Sequence, residues 1–586
     1  MRRTILSWLA FFHAILIFAQ NVTPGEAEQV AKQFLYGIET KSTEPVVRRV
    51  GARGVSVDSN ISPVYIFNKN DEHGFVIVSG SRQCQPVLAY SNTNSFTLEN
   101  IPQNLEEWLS QMMSYIGEFQ RSGNIDAPEH PKWGAFRSSH SRSAATPVIQ
   151  YETAEWNQDS PYNDWCPIID GKKCWTGCSA TALAILMRYY EHPLYGHGNT
   201  QSYEYVNENG RRVTIDSESL NERFNWEQMP LKNPTSWTQE NKKSVSRLIY
   251  LCALMCQVQF GIDNSGGFVD SGHKFLQENL DYDRSSLLHQ RVWYTEEQWQ
   301  EIICNNLKNI GPLLYSARSG EGGHAFVIDG YDSDSMYHIN WGWGGNSNGY
   351  FAFPGFLSFK YNHRAALGVR PDHNGKPVQY LSLTDDFDLT GITLYDVESV
   401  QENTSFTISC GFLQNQSVST PFYGSVRAVT LDKQGEIKEI ISEEGRVSLD
   451  AGYGYKTYKL SCLVTKDIEV GDRITLYQKN DRDGVWRRVL FDRYNICGEL
   501  PIYDQLYIEE STTLTFNPED KLLTMILKPG VHYQLLFGGS LYLDGVSSEN
   551  EPIVIDTSLL QGGTYTFRME KKKELVNLLL EIKGGQ

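Results

Sequence analysis

Cysteine is scarce in this chain and positive charge is in deficit. Ten cysteines among 586 residues are too few for the dense disulfide framework that small exported folds use in place of a core. The C-x3-C pairs Cys174/Cys178 and Cys252/Cys256 have no second Cys/His pair at zinc-ligand spacing. Lys and Arg number 52 against 70 Asp and Glu, a net charge of −18, which argues against nucleic acid and anionic membrane surfaces as partners. The Gly-rich run from Gly342 to Gly349 lacks the Lys-Ser/Thr and the following helix of a phosphate cradle. No metal and no cofactor is therefore expected. Long apolar runs are also missing: beyond the first twenty residues none approaches the ~20 needed to cross a bilayer.

Those first residues are of a different kind. Arg2 and Arg3 precede an apolar run from Ile5 to Ala19, with a cut site near Ala19-Gln20-Asn21, so 1–20 reads as a secretory signal peptide. The mature protein is expected to be soluble and exported: secreted, periplasmic or at the cell surface.

Chemistry concentrates in two distant segments. Thr176-Gly177-Cys178-Ser179-Ala180-Thr181-Ala182 supplies a thiol at the head of a run of good helix formers that Pro193 stops. The positive end of a helix dipole favours thiolate over thiol, and glycine before it admits substrate backbone. Gly323-His324-Ala325-Phe326-Val327-Ile328-Asp329-Gly330 places an imidazole at the mouth of an apolar strand. Asn340, at the end of the next short strand with Trp341 beside it, supplies an amide able to accept the imidazole N–H. A thiolate made by proton transfer to His is a nucleophile strong enough for an amide carbonyl. A thiol, an imidazole and an amide are the set a cysteine peptidase needs.

Together with Trp156-Asn157-Gln158-Asp159-Ser160-Pro161-Tyr162-Asn163 and Asn340-Trp341-Gly342-Trp343-Gly344-Gly345, these blocks resemble the streptopain family of secreted bacterial cysteine peptidases, papain-like in fold. The resemblance implies Cys178 as nucleophile, His324 as general base and acid, Asn340 as orienting amide and Trp341 as its shield. It also implies that Gln158 joins the backbone N–H of Cys178 in the oxyanion hole. Gly177 and Gly323, with Ser265 and Gly266 of the polar loop 261–267, are candidate substrate-binding positions. Cys166 and Cys174 flank a polar turn, and a disulfide between them is left open.

Residues 21–143 read as a small α+β domain. Thr23-Pro24-Gly25-Glu26 is a capping box with Pro at the first helical position. Strands are expected at 63–67 and 75–78, then an amphipathic helix marked by Leu105, Trp108, Leu109, Met112, Ile116 and Phe119. The text around both strands resembles the family's propeptide and implies an inhibitor of the chain's own enzyme. Residues 121–145, rich in Pro, Gly and Ser, read as a linker, with the maturation cut between Arg137 and Thr146. Residues 144–371 are expected to form the catalytic domain, a helical lobe facing an antiparallel sheet lobe. Alternation at Phe406, Ile408, Cys410 and Phe412, and at Tyr565, Phe567 and Met569, indicates β-sandwich modules at 377–500 and 501–586. Binding to a surface or host protein is their expected role, against that of a plain spacer.

The fold class is thus α+β. The function expected is a zymogen endopeptidase acting on polypeptides, and the alternative is a catalytically silent binding or protease-inhibitor protein on the same scaffold.

Overall fold

The computed structural model describes residues 21–36, 46–49, 62–69, 74–96, 101, 103–122, 128–137, 146–207, 209–262, 264–319, 322–353, 363–373, 377–384, 391–397, 400–466, 472–492, 498–501, 513–517, 522–527, 530–537, 540–547, 552–557, 560, 563–571 and 574–582. The signal-peptide reading and the expected maturation cut fall on 1–20 and 138–145, outside the described residues. The chain forms two units, 1–289 with 296–373, and 290–295 with 374–586.

The first unit is organised on an eleven-stranded sheet. Its strands are β1 Val46–Arg49, β2 Val64–Asn68, β3 Phe75–Ser79, β4 Val87–Ser91, β5 Pro147–Gln150, β6 Leu287–Gln290, β7 Leu313–Ser319, β8 Gly322–Asp332, β9 Tyr337–Asn340, β10 Gly349–Phe351 and β11 Arg364–Leu367. They lie in the order β1-β2-β3-β4-β10-β9-β8-β7-β11-β6, and β5 pairs with β8. One antiparallel junction, β4 to β10, joins the strands of the first hundred residues to those of the later ones, with Tyr90 opposite Tyr350 and Ala89 opposite Phe351.

Helix α1, Pro24–Tyr36, begins at the capping box: Thr23 N donates to the Glu26 carboxylate at 2.9 Å and Glu26 N donates to Thr23 Oγ1 at 3.3 Å. Its apolar stripe, Ala27, Val30, Ala31 and Phe34, is buried against β2 and β3. Helix α2, Gln103–Ser122, sets Trp108 edge-on to Phe351 at 5.0 Å and donates Trp108 Nε1 to Ala352 O. Helix α3, Cys178–Tyr190, is buried from Ser179 to Met187 and packs on helix α4, Gln239–Met255, and on β8. Helix α5, Val269–Asn279, joins the same layer, while α6, Glu296–Asn309, packs on β8 and β11. This helical layer against an antiparallel sheet is the α+β arrangement expected.

The segment read as a plain linker is ordered between 128 and 137. Pro131–Trp133 and Gly134–Arg137 are short helical turns whose Trp133 and Phe136 are buried with Val22, Phe34 and Tyr90. Trp133 Nε1 donates to Cys84 O at 2.8 Å, and the Arg82 guanidinium lies 5.4 Å from the indole centroid. Local polarity suggested a tether, but two aromatic side chains find a core supplied by distant chain.

Among its described residues the second unit is built mainly of β-strands. One sheet pairs Ser405–Asn415 with Gly454–Leu463, the other pairs Phe422–Leu431 with Arg473–Asn480, and Ile408, Cys410, Val426, Ala428 and Leu476 share the core of this module. The last residues form a three-stranded and a four-stranded sheet around Met525, Leu535, Tyr565 and Phe567.

Trp133→Ala, made in a Cys178→Ala chain to prevent self-cleavage, is expected to destabilise the first unit by roughly 3–5 kcal/mol, the cost of emptying a large aromatic site; urea unfolding followed by fluorescence measures it.

Candidate active site

Cys178 opens α3, and the residue before it must be glycine. Gly177 has φ +87° and a Cβ there would lie 3.0 Å from Ser265 O, so a side chain would be strained by both conformation and space. The helix behind the thiol is fixed by burial, and by Thr181, whose N and Oγ1 both donate to Gly177 O at 3.1 Å. Cys178 itself is partly exposed, and its Sγ lies 4.0 Å from Gly323 O, the carbonyl next to His324.

Gln158 is buried beside this helix end. Its carbonyl accepts from Thr176 N at 3.2 Å, and its side-chain amide makes no hydrogen bond among the described residues. Ser265 is spent on its own loop: its Oγ donates to Trp175 O at 2.9 Å and accepts from Gly261 N at 2.9 Å. It therefore meets the site through its main chain against Gly177. Gly266 pairs with Gln259, and a Cβ on it would point into open space. Gly323 is exposed at the start of β8.

His324 and Asn340 lie on adjacent strands but on different faces. Ala325 and Val327 pack with α3 in the main core, so alternation turns His324 and Phe326 to the other face. Asn340 is opposite Val327 and shares its face. Its Nδ2 donates to Thr153 Oγ1 and to Ala154 O, both at 2.9 Å, and its Oδ1 accepts from Gly342 N at 3.1 Å. Trp341 is buried on the His324 face, its ring 5.0 Å from both Phe326 and Phe351. The structure thus brings Cys178, Gln158, Gly177, Ser265 and Asn340 to the α3 side of the sheet, and places His324 and Trp341 on the reverse.

Sequence reasoning did not single out Thr153, Asp329 or His338. Thr153 Oγ1 donates to Asp329 Oδ2 at 2.5 Å, and His338 Nδ1 meets Asp329 Oδ1 at 2.5 Å. The Asp329-Gly330 pair was visible as the end of an apolar strand, whereas nothing near Thr153 in sequence marks it.

Cys166 and Cys174 are both buried and are not joined in a disulfide. One His/Asp group among the described residues has ligand atoms close together, Asp283, Asp372 and His373. Arg370 already pairs there with Asp283 at 3.4 Å and donates to His373 Nε2 at 2.9 Å, so the group holds its own cation.

Residues 156–351 match the Peptidase C10 family and residues 19–116 match the Spi protease inhibitor family. The chain is 28% identical over 386 residues to the thiol protease/hemagglutinin PrtT of Porphyromonas gingivalis, across 62% of this chain and 43% of that protein. It is 27% identical over 336 residues to streptopain of Streptococcus pyogenes, across 53% of this chain and 81% of streptopain. Among solved structures it is similar to Prevotella intermedia prointerpain A, with 23% identity and a TM-score of 0.43 across 57% of this chain and 100% of that one.

Burial pushes the thiols of Cys166 and Cys256 up to about 12 and that of Cys252 well above its ordinary value. These groups stay protonated at neutral pH, and their thiolates form only as pH climbs toward those values. Iodoacetamide on the native chain at neutral pH is therefore expected to mark Cys178 and spare these three, which become reactive in denaturant; peptide mass mapping reads the result.

Proposed function

We propose that this chain, whose residues 156–351 form a Peptidase C10 family domain behind a Spi protease inhibitor domain, is the zymogen of an exported cysteine endopeptidase. The observation that carries the reading is the seat of Cys178: a partly exposed thiol at the N-terminus of a buried helix, with the Gln158 carbonyl bonded to Thr176 N just ahead of it and its Sγ 4.0 Å from Gly323 O at the start of the His324 strand.

In the working enzyme the thiolate of Cys178 attacks the scissile carbonyl, and Gln158 with the Cys178 backbone N–H holds the oxyanion. His324 protonates the leaving amine and then activates water against the acyl-enzyme. Asn340 accepts an imidazole N–H and fixes its tautomer. Extended polypeptides are the substrate class.

The arrangement described here supports an idle form. With β4 paired to β10 and α2 over Phe351, the face that carries His324 and Trp341 is covered by the N-terminal domain, away from the thiol. A one-residue slip at the start of β8 exchanges faces, and Gly322-Gly323 ahead of His324 give the backbone that freedom. Removal of the inhibitor followed by this slip would assemble the catalytic set. Export is supported by the apolar run 5–19. No helix among the described residues is long and apolar enough to cross a membrane. Attachment to a surface is assigned to the C-terminal modules, on the support of exposed Tyr395, Tyr423 and Tyr453.

Wild type incubated under reducing conditions is expected to lose its N-terminal ~120 residues, a folded unit of ordinary small-domain size, and then to cleave casein. Cys178→Ala should stay whole and silent. Intact mass and N-terminal sequencing decide it; a Cys178→Ala chain that processes itself, or a wild type that stays silent after the inhibitor is removed by an added protease, refutes the peptidase reading.

A further inference from the structure

A chain of hydrogen bonds that starts at the exposed Gln150 and becomes buried from Asp329 onward ends at Asn340. Tyr350 OH donates to Gln150 Oε1 at 3.0 Å, so the Gln150 amide nitrogen faces His338 Nε2, at 3.1 Å. The imidazole then carries its proton on Nδ1 and donates it to Asp329 Oδ1 at 2.5 Å. The other carboxylate oxygen accepts the Thr153 hydroxyl at 2.5 Å. With its single proton committed, Thr153 Oγ1 can only accept, and it accepts from Asn340 Nδ2 at 2.9 Å. Asp329, Asn340, Thr153 and His338 are all buried, so exchanging any of these bonds for water is not open to them.

A side-chain amide is nearly symmetric in shape, and which end is oxygen is settled by its partners. Here Thr153 and the carbonyl of Ala154 both demand N–H, so the Oδ1 end is turned the other way, toward Gly342 N. That is the end needed to accept from an imidazole. A β-bulge between Ile328 and Gly330 breaks the β8–β9 register at Asp329, and bulges re-aim side chains beside functional sites. We propose that Thr153, held by Asp329, is a positioning residue that fixes the Asn340 amide with its nitrogen bound and its oxygen left to accept from the catalytic histidine once that histidine reaches this face of the sheet. This rests on the reading of Asn340 as the orienting amide.

The test uses full-length variants matured with immobilised wild-type enzyme that is then filtered off, with active sites counted by thiol titration. Asn340→Ala is the reference. Thr153→Val keeps the shape but cannot accept from the amide, and is expected to lower kcat roughly 10- to 100-fold through misorientation, with KM within about two-fold. Thr153→Ser, which restores the acceptor, should recover most of the activity. The double variant Thr153→Val/Asn340→Ala should be no worse than Asn340→Ala alone, because the two act as a unit. If Thr153→Val does not fold, Thr153→Ala carries the same expectations. A Thr153→Val enzyme at wild-type kcat, or additive losses in the double variant, overturns the proposal while Asn340 keeps its role. Wild-type activity in Asn340→Ala would instead overturn the reading of Asn340, and this inference with it.

Discussion

The first unit depends on a short antiparallel contact between β4 and β10. Two residue pairs make it, Tyr90 with Tyr350 and Ala89 with Phe351, extended by Ala352 N donating to Leu88 O. A bare sheet edge offers its unpaired N–H and C=O groups to any passing strand, and here a strand of the N-terminal domain covers it. The side chains follow the backbone. Tyr90 stacks on Tyr350 at 4.9 Å and donates its hydroxyl to Asp332 at 2.7 Å, while Phe75 and Trp108 close over Phe351. Because Phe351 also touches Trp341, the inhibitor's core is continuous with the layer in which His324 sits. The same contacts therefore hold the fold together and cover that layer.

The two faces of this sheet do different work. The face that carries Phe326 and Trp341 is aromatic: Tyr315 stacks on Phe326, Trp299 lies beside Tyr315, and Trp341 bridges Phe326 to Phe351. Such contacts are non-directional enough to be repacked when one partner leaves. The face toward α3 near Asn340 is held by hydrogen bonds between buried groups, where every donor needs its acceptor. The amide is thus fixed by directional bonds, while the imidazole lies in a layer held by packing.

Much of this was legible locally. The capping box at Thr23 and Glu26 gave away α1, because its partners are three residues apart, and small apolar residues after Cys178 marked a buried helix. The strand pair around 64–68 and 75–79 was visible from its apolar runs. Strand β4 was not singled out, although all five of its residues are buried, since a short apolar run carries no sign of which neighbour will cover it. The stretch 128–137 reads locally as part of a linker, because the groups that bury Trp133 and Phe136, Val22 and Tyr90 among them, are far away in the chain.

By itself the sequence determined which chemical groups the site contains: a thiol after a glycine, an imidazole at a strand mouth, an amide one strand on. These depend on residue type and short spacing, which a chain carries wherever it folds. Folding alone settled which face of the sheet each group occupies and which end of the Asn340 amide is turned to Thr153 and which to Gly342 N. Faces follow from register, and register is set by pairing with strands up to hundreds of residues away. The amide follows from Thr153, whose contact spans 187 residues of sequence and is made by folding alone.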